Sequence, residues 1–403
     1  MKYPFLTKLA GNFKRNPGSA KLNWFAEILI EEAFEGIPKD AYLDCHTHIM
    51  GLGTGGTGCW MNPGILTWKH PLDHLKVMFY INGSAIDDMR YADQQYVQRF
   101  LTQVYDFPQN GKFILLALDG AYNKDGAFSR NDTKFYVPNE YIYKTYQSDP
   151  ENFVPCISVH PYREDAIDEL EKWAKLGVRA VKWLPNAMGM DPSDPVCEPF
   201  YEKMKEYDMV LLSHVGGESA IEVLKFRPLG NPLLFRKPLD MGVKVIMAHC
   251  ASSGINLDLE SNSLKPMSNF KLFMRLMEEP KYEKLLFADI SALTQINRSG
   301  TPLSTMLERT DLHHRLINGS DYPLPAINAV ISTRFLELMG YISRRERVAL
   351  NQIYKRNPLL FDFVLKRTLK APGDKITKFS DSIFMDNILL KLTQVQENAG
   401  QLL

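Results

Sequence analysis

The run Asp44-Cys45-His46-Thr47-His48 places two imidazoles two residues apart. Alternate side chains of a strand share a face, so His46 and His48 would project together. Two neutral imidazoles aimed at one point can hold a divalent cation, and borderline-soft zinc suits nitrogen donors. A pair of hydrogen-bonded polar residues at a strand end would show the same spacing, so this run does not decide alone. Other apolar runs also close on residues that bind or activate. His214 ends MVLLSHV, His249 ends KVIMAHC, Asp321 ends INGSD, and Lys182 lies inside RAVKWLP. One histidine at the end of an apolar run is usually a satisfied core residue. Several separate runs ending this way point to a metal site at one end of a set of strands.

The elements that must position these residues can be read from periodicity. Short apolar runs predict strands at AYLD (41–44), KFILLAL (112–118), FVPCISV (153–159), RAVKWL (179–184), MVLLSHV (209–215), KVIMAHC (244–250), KLLFADI (284–290) and RLINGSD (315–321). Between them, helical spacing predicts MRYADQQYVQRFLTQVYDF, EDAIDELEKWAKLG, CEPFYEKMKEYD, FKLFMRLMEEPKYE and TPLSTMLERTDLHH. Alternating strands and helices imply βαβ units and a parallel sheet. Eight strands suggest closure into an α/β, (β/α)8 TIM barrel, with a doubly wound open sheet as the structural alternative. The expected organisation is an N-terminal helical extension over 1–40, a barrel over 41–370, and peripheral helices over 371–403. LNWFAEILIEEAFEGIP predicts the helix of the extension. Two insertions follow predicted strands, 51–74 and 120–139, and would overhang the catalytic face of a barrel.

Composition narrows the classes. With 45% hydrophobic residues the chain can bury a large core, and Lys+Arg and Asp+Glu balance at 47 each. Zero formal charge gives no electrostatic reason to expect nucleic acid or an anionic membrane as partner. Cys45, Cys59, Cys156, Cys197 and Cys250 are scattered, which fits a reducing compartment better than a disulfide framework. With no apolar run near the ~20 residues of a membrane helix, the expectation is a cytoplasmic protein. A small-molecule substrate is the expected partner, with homo-oligomerisation left open.

The ordered set His46-x-His48, Lys182, His214, His249 and Asp321 resembles the amidohydrolase superfamily. The phrases YLDCHTHI, GVRAVKWLP, VLLSHVG, VIMAHC and NGSDYP resemble its amidohydrolase-related branch, which includes aminocarboxymuconate-semialdehyde decarboxylase. The resemblance runs from about Tyr42 to Pro323. It implies that His46, His48, His214 and Asp321 ligate zinc or another divalent metal, and that Asp321 also takes a proton from an attacking water. His249 would bind a second metal, or orient and protonate substrate in a one-metal site. Lys182 is the pivot: carbamylated, it would bridge two ions; unmodified, it would leave one ion and contact substrate or pack.

His160, Arg163, Trp183 and Arg298 are weaker candidates for substrate binding. Arginines after strand ends could clasp a substrate carboxylate, while packing or surface exposure accounts for them as readily. The glycine-rich GLGTGGTG (51–58) lacks the G-K-[ST] ending of a phosphate loop and reads better as a flexible loop or lid. Cys250, next to His249 in a strand, would face away from the site. The expected function is a metal hydrolase cleaving an amide, ester or lactone. A non-oxidative decarboxylase with the same metal cage is the alternative, and a non-catalytic metal-stabilised barrel the second.

Overall fold

The computed structural model describes residues 11, 13, 16–66, 71–218, 221, 223–373 and 377–385. Each expected strand is present: β1 Tyr42–His48, β2 Gly111–Leu116, β3 Phe153–Cys156, β4 Ala180–Trp183, β5 Val210–Ser213, β6 Lys244–Met247, β7 Leu286–Asp289 and β8 Leu316–Ile317. Two boundaries differ in ways that matter. β1 runs past Asp44 and includes both histidines. β6 stops at Met247, because His249, Cys250 and Ala251 all take left-handed φ, at 57°, 50° and 46°. The alternation that would turn Cys250 away from His249 therefore does not apply. Cys250 is nonetheless buried, its Sγ 3.3 Å from the Asp289 carbonyl oxygen.

The chain divides into two compact units. The second comprises 58–65 and 114–290 of the described residues, and the boundary falls within β2. Here β4, β5, β6 and β7 pair in sequence order, with parallel registers Ala180↔Val210, Val210↔Lys244 and Val245↔Leu286. β3 joins β4 through a parallel bridge, Ile157↔Val181, and β2 lies beside β3. These strands are apolar almost throughout and buried, as parallel strands covered on both faces must be. The helix Ala166–Lys175 shows why the crossovers form. Asp168 and Glu169 stand in its first turn, Lys172 and Lys175 in its last, which suits the helix dipole. Gly177 (φ 89°) then closes it, with Gly177 N–H to the Ala174 oxygen and Val178 N–H to the Trp173 oxygen. The two insertions also meet: Trp60–Met61 pairs antiparallel with Phe135–Tyr136.

The first unit comprises the described residues up to 57, 66–113 and 291–385. Its core is aromatic. Tyr42 packs on Phe363 with ring centroids 4.9 Å apart and on Phe107 at 5.3 Å, and Phe34 packs on Phe363 at 4.7 Å. Phe34 ends the expected N-terminal helix, Trp24–Phe34, which is capped by Asn23 and buries Ala26, Leu29, Ile30 and Ala33. Phe363 belongs to the helix Pro358–Thr368. β8 is short, but the chain beyond it stays laced to β1. Cys45 N–H donates to the Asn318 oxygen, Asp321 N–H to the His46 oxygen, and His48 N–H to the Tyr322 oxygen. Of the helices expected over 371–403, residues 374–376 and 386–403 lie outside the described residues; Asp381–Phe384 forms one short turn.

The glycine-rich loop does cradle an anion, and the anion is the protein's own. Buried Asp93 accepts from Leu52 N–H at 2.6 Å, Gly53 N–H at 3.1 Å, the Thr54 hydroxyl at 3.0 Å and the Thr57 hydroxyl. Glycines at 53, 55 and 56 supply the positive φ this nest requires. Asp93→Ala would strand four donors. We expect a stability loss of about 2–3 kcal/mol by urea unfolding, with new proteolytic cleavage between residues 51 and 58. A parent-like midpoint and digestion pattern would show that something else holds the loop.

Candidate metal centre

In the first unit β1 does what its sequence predicts. His46 and His48 lie on one face, with their Nε2 atoms 3.2 Å apart. Asp321 Oδ1 stands 3.6 Å from His46 Nε2 and 3.3 Å from His48 Nε2. Three donor atoms thus form a near-equilateral triangle. Ligand atoms about 2.0–2.2 Å from a tetrahedral zinc stand roughly 3.3–3.6 Å apart, so the triangle has the size of one face of a metal's coordination shell. Two imidazoles and a carboxylate are a donor set suited to zinc and to other first-row divalent ions. Asp321 reaches its position with φ 58°, a conformation aspartate tolerates better than most residues.

Supports surround the triangle. Ser291 Oγ lies 3.3 Å from His46 Nδ1. Tyr96 Oη donates to the His48 carbonyl oxygen at 2.7 Å. Asp44 Oδ1 accepts from His46 N–H at 3.1 Å and from Ser320 N–H at 2.8 Å, so one carboxylate holds both ligand segments. Burial pushes the Asp44 carboxyl up to about 7, against the hydrogen bonds from Ser320 and His46 and the charge of Lys366. Tyr322 packs against Tyr96 and Phe100, and its hydroxyl accepts from Gln103.

In the second unit, His214 follows β5 and His249 follows β6, their ring centroids 5.1 Å apart and both buried. His214 Nδ1 lies 3.3 Å from Glu218 Oε2. The left-handed turn at His249 is tied by Asp289, whose Oδ1 accepts His249 N–H at 2.9 Å. Lys182 is buried on β4, and its charge acts on the Cys156 thiol, which burial raises to about 12. His160 is buried with Nδ1 accepting from Tyr162 N–H and Nε2 donating to the Met188 oxygen. Both ring nitrogens therefore serve the fold, and burial lowers its pKa to about 3. Arg163 grips Asp119 and Asp165. Trp183 donates to the Val159 oxygen and packs on Phe200 and Tyr201. Arg298, in the first unit, is buried after β7.

The amidohydrolase family profile matches residues 43–327, more than half of the chain. The chain belongs to the amidohydrolase family. The family match and the parallel strands with their crossover helices bear out the α/β TIM-barrel class expected from the sequence. No curated protein matches the sequence. Among solved structures it is similar to an uncharacterised TIM-barrel protein of Bordetella bronchiseptica, at 13% identity and TM-score 0.46, covering 77% of this chain and 94% of that one. A probable 2-pyrone-4,6-dicarboxylic acid hydrolase of Acinetobacter baumannii gives 14% and 0.44, covering 78% and 97%. The 5-carboxyvanillate decarboxylase of Sphingomonas paucimobilis gives 11% and 0.41, covering 78% and 96%.

Sequence reasoning missed several residues of this amidohydrolase. Asp289 ends an apolar strand just as Asp321 follows one, so the same strand-end rule would have found it. Asp44 sits inside the motif itself. Ser291 and Glu218 carry no comparable signal, since their partners are set by folding. Gly319 carries one visible only in three dimensions: a β-carbon there would stand 2.7 Å from His46 Cβ and 3.3 Å from Cys45 Sγ. Gly319→Ala should force β1 and the Asp321 segment apart. We expect a loss of about 1–3 kcal/mol in unfolding free energy, the usual scale of overpacking, together with reduced retention of divalent metal by elemental analysis. Unchanged metal content would show that the triangle tolerates the displacement.

Proposed function

We propose that this amidohydrolase is a hydrolase that cleaves an amide, ester or lactone of a small molecule with the aid of a divalent metal. The observation that carries the reading is the triangle of His46 Nε2, His48 Nε2 and Asp321 Oδ1, with sides of 3.2–3.6 Å. His214 is added as a ligand on its strand-end order in the sequence. For a two-metal site His249 and a carbamylated Lys182 are added on the same ground. A bound divalent cation supplies Lewis acidity, which acidifies water towards pKa ~7 and polarises a substrate oxygen.

The chain's own residues do the rest. For His46 Nε2 to offer its lone pair, the ring proton must sit on Nδ1, where Ser291 Oγ can accept it. The Tyr96 bond to the His48 carbonyl oxygen steadies the end of β1. Asp321 offers the carboxylate that accepts a proton from the attacking water, and His249 is assigned the orientation and protonation of substrate when one ion is held. Zinc and manganese both suit this donor set.

Stripping metal with a chelator should abolish turnover while leaving far-UV circular dichroism largely intact, because β1 is also held by core packing. Return of zinc or manganese should restore activity. Asp321→Asn keeps the shape and removes the proton acceptor, so turnover should fall at least ~100-fold in folded, metal-loaded protein. Lys182→Ala separates the metal counts. Stoichiometry should fall from about two to about one under the carbamate reading, because a shared ligand is lost. A panel of esters, lactones and amides read by acid release tests the reaction itself. One metal per chain in parent and mutant, with carbon dioxide release from a carboxylic acid panel instead, would replace hydrolysis by decarboxylation.

A further inference from the structure

Asp362 and Lys366 lie beyond the family match, one turn apart on the helix Pro358–Thr368. Both are excluded from solvent, at 2% and 0% exposure. Lys366 Nζ donates to Asp362 Oδ2 and to the Gly319 carbonyl oxygen, each at 2.5 Å. Burying two charges costs several kcal/mol each in desolvation, and an apolar pair of the same volume often fills such a space without loss of stability. What the ammonium provides, and an apolar chain cannot, is a hydrogen bond to Gly319.

Gly319 stands two residues before Asp321 and is confined on several sides. Its carbonyl is taken by Lys366, and a β-carbon on it would run into His46, Cys45 and Ser291. The next amide, that of Ser320, is held by Asp44, which also holds the amide of His46. Asp321 N–H then donates to the His46 carbonyl oxygen. The helix that carries Lys366 is itself anchored. Asn357 caps its first turn through Leu359 and Leu360 N–H and donates to the Gln103 carbonyl oxygen. A rigid helix, a buried ammonium and a confined glycine therefore lead directly to the carboxylate of the triangle.

We infer that Lys366, charge-balanced by Asp362, is a positioning residue that fixes the Gly319–Asp321 turn and so aims the Asp321 carboxylate at the imidazoles of His46 and His48. The inference rests on the metal reading of that triangle. It assigns to the helix Pro358–Thr368 a part in metal affinity that packing alone would not give it.

The test measures zinc affinity of the full chain by competition with a chromogenic chelator, beside the urea unfolding midpoint of the metal-free protein. In Lys366→Met/Asp362→Leu, zinc affinity should fall tenfold to hundredfold, the scale for losing a partner behind a ligand. The metal-free midpoint should stay near or above the parent's, because both buried charges and their desolvation cost are removed together. Lys366→Gln keeps an N–H donor on a shorter, neutral chain and should fall between the two in affinity; it decides the matter if the double variant does not fold. Val364→Ala, a buried position on the same helix, should lower the midpoint and leave zinc affinity at the parent value. Parent-level affinity in both Lys366 variants would overturn the positioning role and leave the metal reading standing. An equal loss in Val364→Ala would overturn it too, by showing that any loosening of the helix suffices. A parent protein that binds no zinc would sink the metal reading itself, and this inference with it.

Discussion

The first unit depends on holding two segments, 276 residues apart at Asp44 and Ser320, side by side in register. Backbone bonds from Cys45, His48 and Asp321 lace them together, and the Asp44 carboxylate spans the seam. Without that lacing, Asp321 has no reason to lie near two histidines. The register also matters. A slip of one residue along β1 would turn His46 and His48 to the other face and dismantle the triangle at once. The absence of a side chain at Gly319 is what lets the segments approach closely enough.

Buried charge recurs around this seam, and in each case hydrogen bonds offset the desolvation. Asp44 accepts from two backbone amides, Asp93 from two amides and two hydroxyls, and Lys366 is neutralised by Asp362. Bonds to charged groups contribute about 1.5–3 kcal/mol each, and losing one partner strands the other. Such groups are poor material for bulk stability and good material for fixing one geometry. Burial raises Asp362 to about 6 even beside Lys366, and Asp44 to about 7, which shows how strongly the interior opposes their charge.

The second unit solves a related problem by different means. His249 is aimed by three consecutive left-handed residues rather than by strand alternation. That conformation costs roughly 1–2 kcal/mol per non-glycine residue, and Asp289 helps to hold it by accepting the His249 amide. His214 instead continues the line of β5, its N–H bonded to the Trp183 oxygen. Two histidines with the same strand-end appearance in the sequence therefore reach their places by unlike backbone routes.

The strands, several of the crossover helices and the three donors that meet in the triangle were legible in the sequence. Each rests on local facts: short apolar runs, helical spacing, and the presence of an imidazole or carboxylate at the end of such a run. The His46-x-His48 pair is the clearest example, since pleating alone puts both rings on one face. Asp289 carries the strand-end signal, but Ser291, Glu218 and Lys366 were not legible, because nothing local tells a buried polar group which partner the fold will bring to it. The glycine-rich loop makes the same point. Its composition read as a flexible loop or lid rather than a phosphate loop, and only the fold supplied Asp93 as an anion for it to hold. Local chemistry determined which residues could act; long-range packing and the need to satisfy buried charge decided which of them are held, and by what.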